Sequence, residues 1–150
     1  MDEDPKIPVY VEAEIRAQSR AKPGEIKERV EATLNERSPL QRHDDVDERL
    51  RKRWETELTA AIEAEYRRER AELLARVQWW LRDIWMSALD AAESLLALPS
   101  LAGSVRAVAA RVSPEEAMEN LAVIERTQRL LHTNVQEALA LEVGLLKLKL

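Results

Sequence analysis

The stretch Leu73 to Leu89, which reads LLARVQWWLRDIWMSAL, decides the fold of this 150-residue chain. It concentrates large apolar side chains, and three of the four tryptophans of the chain, Trp79, Trp80 and Trp85, lie in it. The adjacent residues Trp79 and Trp80 point about 100° apart on an α-helix. We therefore expect the buried end of a helix here, with Trp80 and Trp85 in the core and Trp79 near the surface.

The sequence before this stretch is highly charged. Asp45 is a suitable N-cap, and Glu48, three residues later, completes a capping box. No glycine or proline occurs from there until Pro99, so one helix over residues 45–98 is predicted. Its early apolar residues recur every fourth position, and this stripe drifts around a helix of 3.6 residues per turn instead of forming a heptad seam.

The sequence after Pro99 predicts three more helices. Residues 101–112 have leucine and valine at helical spacing. Ser113 is suited to cap the next helix, and Glu116 to close its capping box. Asn134 and Glu137 have the same spacing and predict the start of the last helix. That helix is apolar nearly all round, so we expect it at the centre of a bundle or covered by a partner chain.

The predicted organisation has three parts. Residues 1–44 hold short helices, one of them over residues 9–20, and linker. Residues 45–78 form a long charged helical arm, and residues 79–150 form a compact helical domain. Residues 99–150 have six acidic and six basic side chains, so the surplus acid behind the net charge of −5 lies before them.

Composition favours an all-α fold and limits the functions that the chain can have. Charged residues make up 34 %, glycine occurs three times, and phenylalanine is absent. The absence of cysteine excludes a disulfide framework and fits a reducing cytoplasm. The acidic N-terminus is unlike a signal peptide, and no apolar stretch approaches the ~20 residues that span a bilayer.

The sequence offers no catalytic residues, no cofactor-binding motif and no metal site, so an enzyme is not expected. His43 lies among acidic residues, which we interpret as the exposed start of a helix, and His132 lies at a predicted helix end. The arginine-rich runs 49–53 and 67–70 leave a helical nucleic-acid binder open as an alternative. On a helix, however, these cations spread over several faces, and a net charge of −5 does not indicate a large basic surface.

Four motifs from Trp79 to Leu150 form an ordered set. They are Trp80-Leu81-Arg82-Asp83, Ser113-Pro114-Glu115-Glu116, Arg129 to Val135 with the sequence RLLHTNV, and the pair Leu139-Ala140-Leu141-Glu142 and Leu145-Leu146-Lys147-Leu148. In this order they resemble the C-terminal collar domain of bacterial DNA polymerase III clamp-loader subunits, most of all delta-prime. The family often has Asn-Pro where this chain has Gln136-Glu137.

This resemblance implies a non-catalytic role in DNA replication. In such clamp loaders, related subunits form a ring through helical C-terminal domains, and ATPase-type modules open the sliding clamp. The chain has no Walker motif, so the resemblance implies the collar piece alone, with other clamp-loader subunits as partners and with no cofactor. Residues 1–70 do not match the family pattern, which is compatible with an insertion or with a piece of a longer protein.

A collar needs apolar helix faces that neighbouring subunits cover, so we expect the last two helices of residues 79–150 to contact adjacent subunits. The expected contact residues are Leu139, Leu141, Val143, Leu145 and Leu146, with Trp79 as an edge anchor, and the competing assignment for each is the core of the domain itself. Two alternatives remain for the whole chain. One is a gamma/tau-type or other clamp-loader-like ATPase C-terminal domain, and the other is a free-standing helical adaptor that self-associates through its arm.

Overall fold

A computed structural model describes residues 24–36 and 47–150 of the protein. Five α-helices lie in these ranges: α1 over residues 24–35, α2 at Glu48–Ala88, α3 at Ala102–Ala109, α4 at Pro114–Leu130 and α5 at Glu137–Leu146. The 3₁₀ turns Glu93–Leu95 and Pro99–Leu101 lie between α2 and α3. No β-strand occurs in the two ranges, and the all-α prediction is confirmed. None of their helices is long and apolar enough to cross a membrane.

The described residues divide into two units. One comprises residues 24–36 and 47–70, and the other, which we call the C-terminal lobe, comprises residues 71–150. The division falls within α2. The division into 1–44, 45–78 and 79–150 stays a prediction, and the helix predicted over residues 9–20 lies outside the described residues.

An ion-pair network joins α1 to the first part of α2. Arg29 Nη2 donates to Glu65 Oε1 at 2.7 Å and to Glu69 Oε1 at 2.8 Å. Arg68 donates to the same Glu65 carboxylate from Nη2, at 2.6 Å. The hydrogen bond from Arg68 and the positive charges of Arg68 and Arg29 lower the pKa of Glu65, and the two carboxylates raise the pKa of Arg29. Beside this network, Ile26 of α1 is buried.

Removing the strongest hydrogen-bond donor to Glu65 tests this network. Arg68→Ala is expected to move the pKa of Glu65 back toward its ordinary value. Because the folded-state pKa is the lower one, the pair stabilises the fold above the unfolded pKa and loses this effect as pH falls through the folded value. Carboxyl NMR titration of the wild type and the variant measures the shift, and an unchanged pKa in Arg68→Ala would contradict the network.

The start of α2 differs from the prediction. Asp47 is the capping residue: its Oδ1 accepts from the N–H of Arg49 at 3.1 Å, and its carbonyl accepts from the N–H of Arg51 at 3.1 Å. Glu48 is therefore the first helical residue and not the third, so the predicted Asp45–Glu48 capping box is wrong in register. Asp45 itself lies outside the described residues. Of three nearby aspartates at positions 44, 45 and 47, local spacing alone did not select the right one.

The end of α2 also corrects the prediction, because the helix stops at Ala88 and not near residue 98. Asp90 has a φ of 56°, in the left-handed region. The N–H of Asp90 donates to the carbonyl of Ser87, and the N–H of Ala91 to that of Met86. These two bonds form a Schellman motif, which ends a helix without glycine at some steric cost.

A buried carboxylate fixes the chain after α2. Asp83 is fully buried, and its two oxygens accept from the backbone N–H groups of Ala97 at 2.9 Å and Leu98 at 2.8 Å. Arg82 Nη1 donates to Asp83 Oδ1 at 2.9 Å and to the carbonyl of Leu95 at 2.8 Å. Two neighbouring side chains of α2 thus bind two N–H groups and one carbonyl of the segment that follows the helix.

The core of the C-terminal lobe is built on the stretch that begins at Leu73. Trp80 is buried, and its Nε1 donates to Ser104 Oγ of α3 at 3.0 Å, while Trp85 packs against the core and is half-buried. The buried apolar side chains are those of Leu74, Trp80, Leu81, Ile84, Val105, Val108, Ala117 and Ile124. They come from α2, α3 and α4, so these three helices form the body of the lobe.

Of the two helices that follow α3, α4 begins with its predicted capping box and α5 does not. Ser113 Oγ accepts from the N–H of Glu116, and Glu116 Oε2 accepts from the N–H of Ser113, so both bonds of the predicted capping box are present. The predicted Asn134–Glu137 box is wrong. Asn134 lies in the turn that follows α4, while Gln136 is the N-cap of α5 without a side-chain hydrogen bond, and Glu137 is the first helical residue.

The Asp83 carboxylate is open to a direct test of stability. Asp83→Ala is expected to lower the free energy of unfolding by about 3 kcal/mol, since it leaves two backbone N–H groups without their acceptor. Glu93→Ala is the matched control, because it breaks only an exposed ion pair with Arg106 and is expected to cost less than about 1 kcal/mol. Chemical denaturation measures both, and equal losses would contradict the role of Asp83.

Candidate protein-interaction surface

The helix α5 packs on α4 through its smallest side chains. Ala140 and Gly144, four residues apart, are its two buried residues. A Cβ atom added at Gly144 would lie only 2.9 Å from Thr127 Cγ2 of α4 and closer still to Thr127 Oγ1. Glycine at position 144 therefore permits a close approach of the two helices that any larger residue would prevent.

Most of the large side chains of α5 are exposed. The exposed fractions are 51 % for Leu139, 40 % for Val143, 43 % for Leu145 and 79 % for Leu146. Single exposed apolar residues are ordinary, but Leu139, Val143 and Leu146 are spaced i, i+4 and i+7 and so share one face of α5, and a shared exposed apolar face is typical of a binding surface. Of the five α5 residues predicted to be at an interface, only Leu141 is half-buried against the core, which is the competing assignment.

The position of α5 also corrects an expectation. Of the two places that its apolar sequence allowed, the centre of a bundle is excluded, because its large side chains lie at the surface of the lobe. The segment after α5 is fixed instead. The Asn120 side chain, buried in α4, accepts from the N–H of Lys149 at 2.8 Å and donates to its carbonyl at 2.6 Å. Leu148 and Leu150 on either side pack against the core.

Trp79, the predicted edge anchor, lies on α2 with 52 % of its surface exposed. The Arg82 guanidinium carbon lies 5.9 Å from the centre of its ring, at the distance of a cation–π contact. The same guanidinium group donates to the Asp83 carboxylate and to the carbonyl of Leu95. Trp79 is thus exposed enough to contact a partner, and within the lobe its ring contacts the Arg82 guanidinium group.

Three polar or small residues matter to this surface and were not predicted from the sequence. They are Asn120, Thr127 and Gly144. Asn120 and Thr127 stand on the buried face of α4, in register with Ala117 and Ile124. A buried polar side chain needs a hydrogen-bond partner. The sequence signal for Asn120 was therefore a polar residue at a core-facing position of an amphipathic helix. The pairing of Gly144 with Thr127 needs the packing of two helices and has no local signal.

The arginines and histidines considered for nucleic-acid binding or other chemistry are mostly ion-paired or exposed. Among the arginine-rich runs of α2, Arg53, Arg67 and Arg68 form ion pairs with glutamates on the same helix. His132 is exposed in the turn after α4, and His43 lies outside the described residues. Within residues 24–36 and 47–150, no three His, Cys, Asp or Glu side chains are grouped so that they could hold a metal ion.

Comparison with protein-family models, with curated proteins and with solved structures found no match to this chain. The clamp-loader resemblance therefore depends on the sequence motifs between Trp79 and Leu150.

Substitution of Gly144 tests the close contact between α4 and α5. Alanine normally stabilises a helix interior over glycine by up to about 1 kcal/mol. Gly144→Ala is expected to destabilise the lobe instead, by about 1–2 kcal/mol, because its Cβ collides with Thr127. Chemical denaturation measures the sign.

Gly103 of α3 provides the matched control, since no atom lies within 4 Å of a Cβ added there. Gly103→Ala is expected to be neutral or stabilising. The double variant Thr127→Ala/Gly144→Ala should recover part of the loss, because the two sites are coupled. A stabilising effect of Gly144→Ala would mean that the helices are not in close contact.

Proposed function

We propose that the protein is a non-catalytic assembly subunit of a bacterial DNA polymerase III clamp loader, of the delta-prime type, and acts in the cytoplasm during DNA replication. Its C-terminal lobe would hold neighbouring clamp-loader subunits through the outer face of α5. The observation that carries this proposal is the exposure of Leu139, Val143 and Leu146 on a helix that is attached to its own lobe by Ala140 and Gly144.

The energetics of α5 support an assembly role. Covering a large apolar side chain contributes about 1.5–3 kcal/mol, and the lobe leaves several on α5 without this contribution. A partner that covers them would gain this free energy without unfolding any part of the lobe, because α5 already packs on α4 and the Asn120 side chain binds the backbone of Lys149 just after the helix. A preformed apolar surface loses little conformational entropy on binding.

The motif Trp80-Leu81-Arg82-Asp83 supports the clamp-loader type in particular. Each of its residues has a structural role, since Trp80 and Leu81 are buried, and Arg82 and Asp83 hold the segment after α2. A motif that specifies the geometry of a domain is the kind that distant relatives retain. This motif of the resemblance therefore lies in residues that build the lobe.

Light scattering on size-exclusion fractions tests the proposal. The protein is expected to join the other clamp-loader subunits of its source in a defined hetero-oligomer. Leu139→Glu/Leu146→Glu should leave the circular dichroism spectrum unchanged and abolish co-elution, because charges in the interface would be buried without partners. Leu95→Glu is the control, since Leu95 is 54 % exposed and lies outside α5.

Two results would contradict the proposal. A wild-type protein that ignores the clamp-loader subunits and forms a tight homodimer would indicate a self-associating helical adaptor. A hetero-oligomer that survives Leu139→Glu/Leu146→Glu would show that α5 is not the surface that holds the subunits.

A further inference from the structure

The pair α4–α5 carries a groove on the side opposite to the lobe core. The groove encloses about 340 Å³, and Thr127 and Gly144, where the two helices approach most closely, are among its lining residues. Its apolar wall consists mainly of Ala122, Val123 and Leu130 from α4 and Val143 from α5. Leu139 and Leu146 extend this surface, because residues at i, i+4 and i+7 share one face of a helix.

The charges that line the groove are not balanced. Arg126 and Lys147 line it, both are exposed, and neither has an ion pair in the described part of the chain. Glu119 also lines it, but its carboxylate accepts a hydrogen bond from Lys149 Nζ at 2.8 Å. That bond raises the pKa of Lys149, whose ammonium group also lies 3.9 Å from Glu116 Oε1. The groove thus offers an apolar surface with two cations whose charge is uncompensated.

We infer that this groove binds an amphipathic helix of a partner protein, whose apolar stripe is flanked by carboxylates. The inference deepens the proposed function and rests on it, since it names the chemistry of the partner surface. A cation that is covered by a partner costs free energy unless an acid pairs with it, so acids are expected opposite Arg126 and Lys147.

The groove is suited to a bound helix and not to a bound extended peptide. An extended peptide usually binds by pairing its backbone with a sheet edge, but both walls here are α-helices whose interior backbone groups are already bonded. A helix satisfies its own backbone and presents side chains that fit between two packed helices. The occupant is therefore a third helix that lies along α4 and α5.

A pair of synthetic peptides tests this without any clamp-loader subunit. Both are helical, about 18 residues or five turns long, with leucines spaced four and three residues apart. One has glutamates beside the leucines, and the other has lysines. The glutamate peptide is expected to bind the full chain at least tenfold more tightly at low salt, and this preference should shrink as salt is added. Fluorescence anisotropy measures both affinities.

Matched variants locate the binding site. Arg126→Glu should remove the preference for glutamate, whereas Arg111→Glu, the same charge change outside the groove, should keep it. Val143→Glu should weaken binding of the glutamate peptide at least tenfold, whereas Leu95→Glu should not. Circular dichroism of each variant separates loss of binding from loss of fold.

The outcomes separate this inference from the proposed function. Equal affinity for the two peptides, no binding of either, or binding unchanged by Val143→Glu overturns the groove as the site of an acidic helix. A wild-type homodimer that Val143→Glu disperses also overturns it, because the occupant is then a second copy. A glutamate preference in a protein that ignores clamp-loader subunits supports the groove and contradicts only the proposed function.

Discussion

The C-terminal lobe depends on one carboxylate that has no access to water. Burying the charge of Asp83 would be costly if it were unpaired, but its oxygens accept from the N–H groups of Ala97 and Leu98. The same bonds satisfy backbone groups that the turn after α2 leaves without helical partners. They also place Leu96 and Leu98 against the core, just before α3 begins. This anchor fixes the backbone that leads into α3.

A second constraint explains the exposed surface of α5. The helix approaches α4 so closely that only Ala140 and Gly144 fit between them, so its larger side chains must lie elsewhere. Leu141 reaches the core on one side, while Leu139, Val143 and Leu146 stay in solvent on another. Because one neighbouring helix cannot cover a helix that is apolar all round, a residual apolar face is a consequence of the packing.

What the sequence predicted correctly has local causes. The capping box of α4 was predictable because all its atoms lie within four consecutive residues, and the exposure of Trp79 beside buried Trp80 follows from helix geometry. The end of α2 was not predictable in this way. It depends on a left-handed Asp90 and on contacts between Asp83 and residues 14 and 15 positions away. The cap at Asn134 failed because the turn after α4 moves the helix start to Glu137.

In the proposed assembly, two features of this surface would act together in recognition. The apolar side chains Leu139, Val143 and Leu146 favour any apolar partner, so they would provide affinity with little selectivity. Arg126 and Lys147 add a charge requirement at the same groove, and a partner without acids would bury two cations unpaired. The cost of burying two unpaired cations would weaken the binding of most apolar helices. The surface would therefore discriminate between partners without any extra attraction to the correct one. Selection of this kind would suit the proposed assembly, in which related subunits must each find one neighbour.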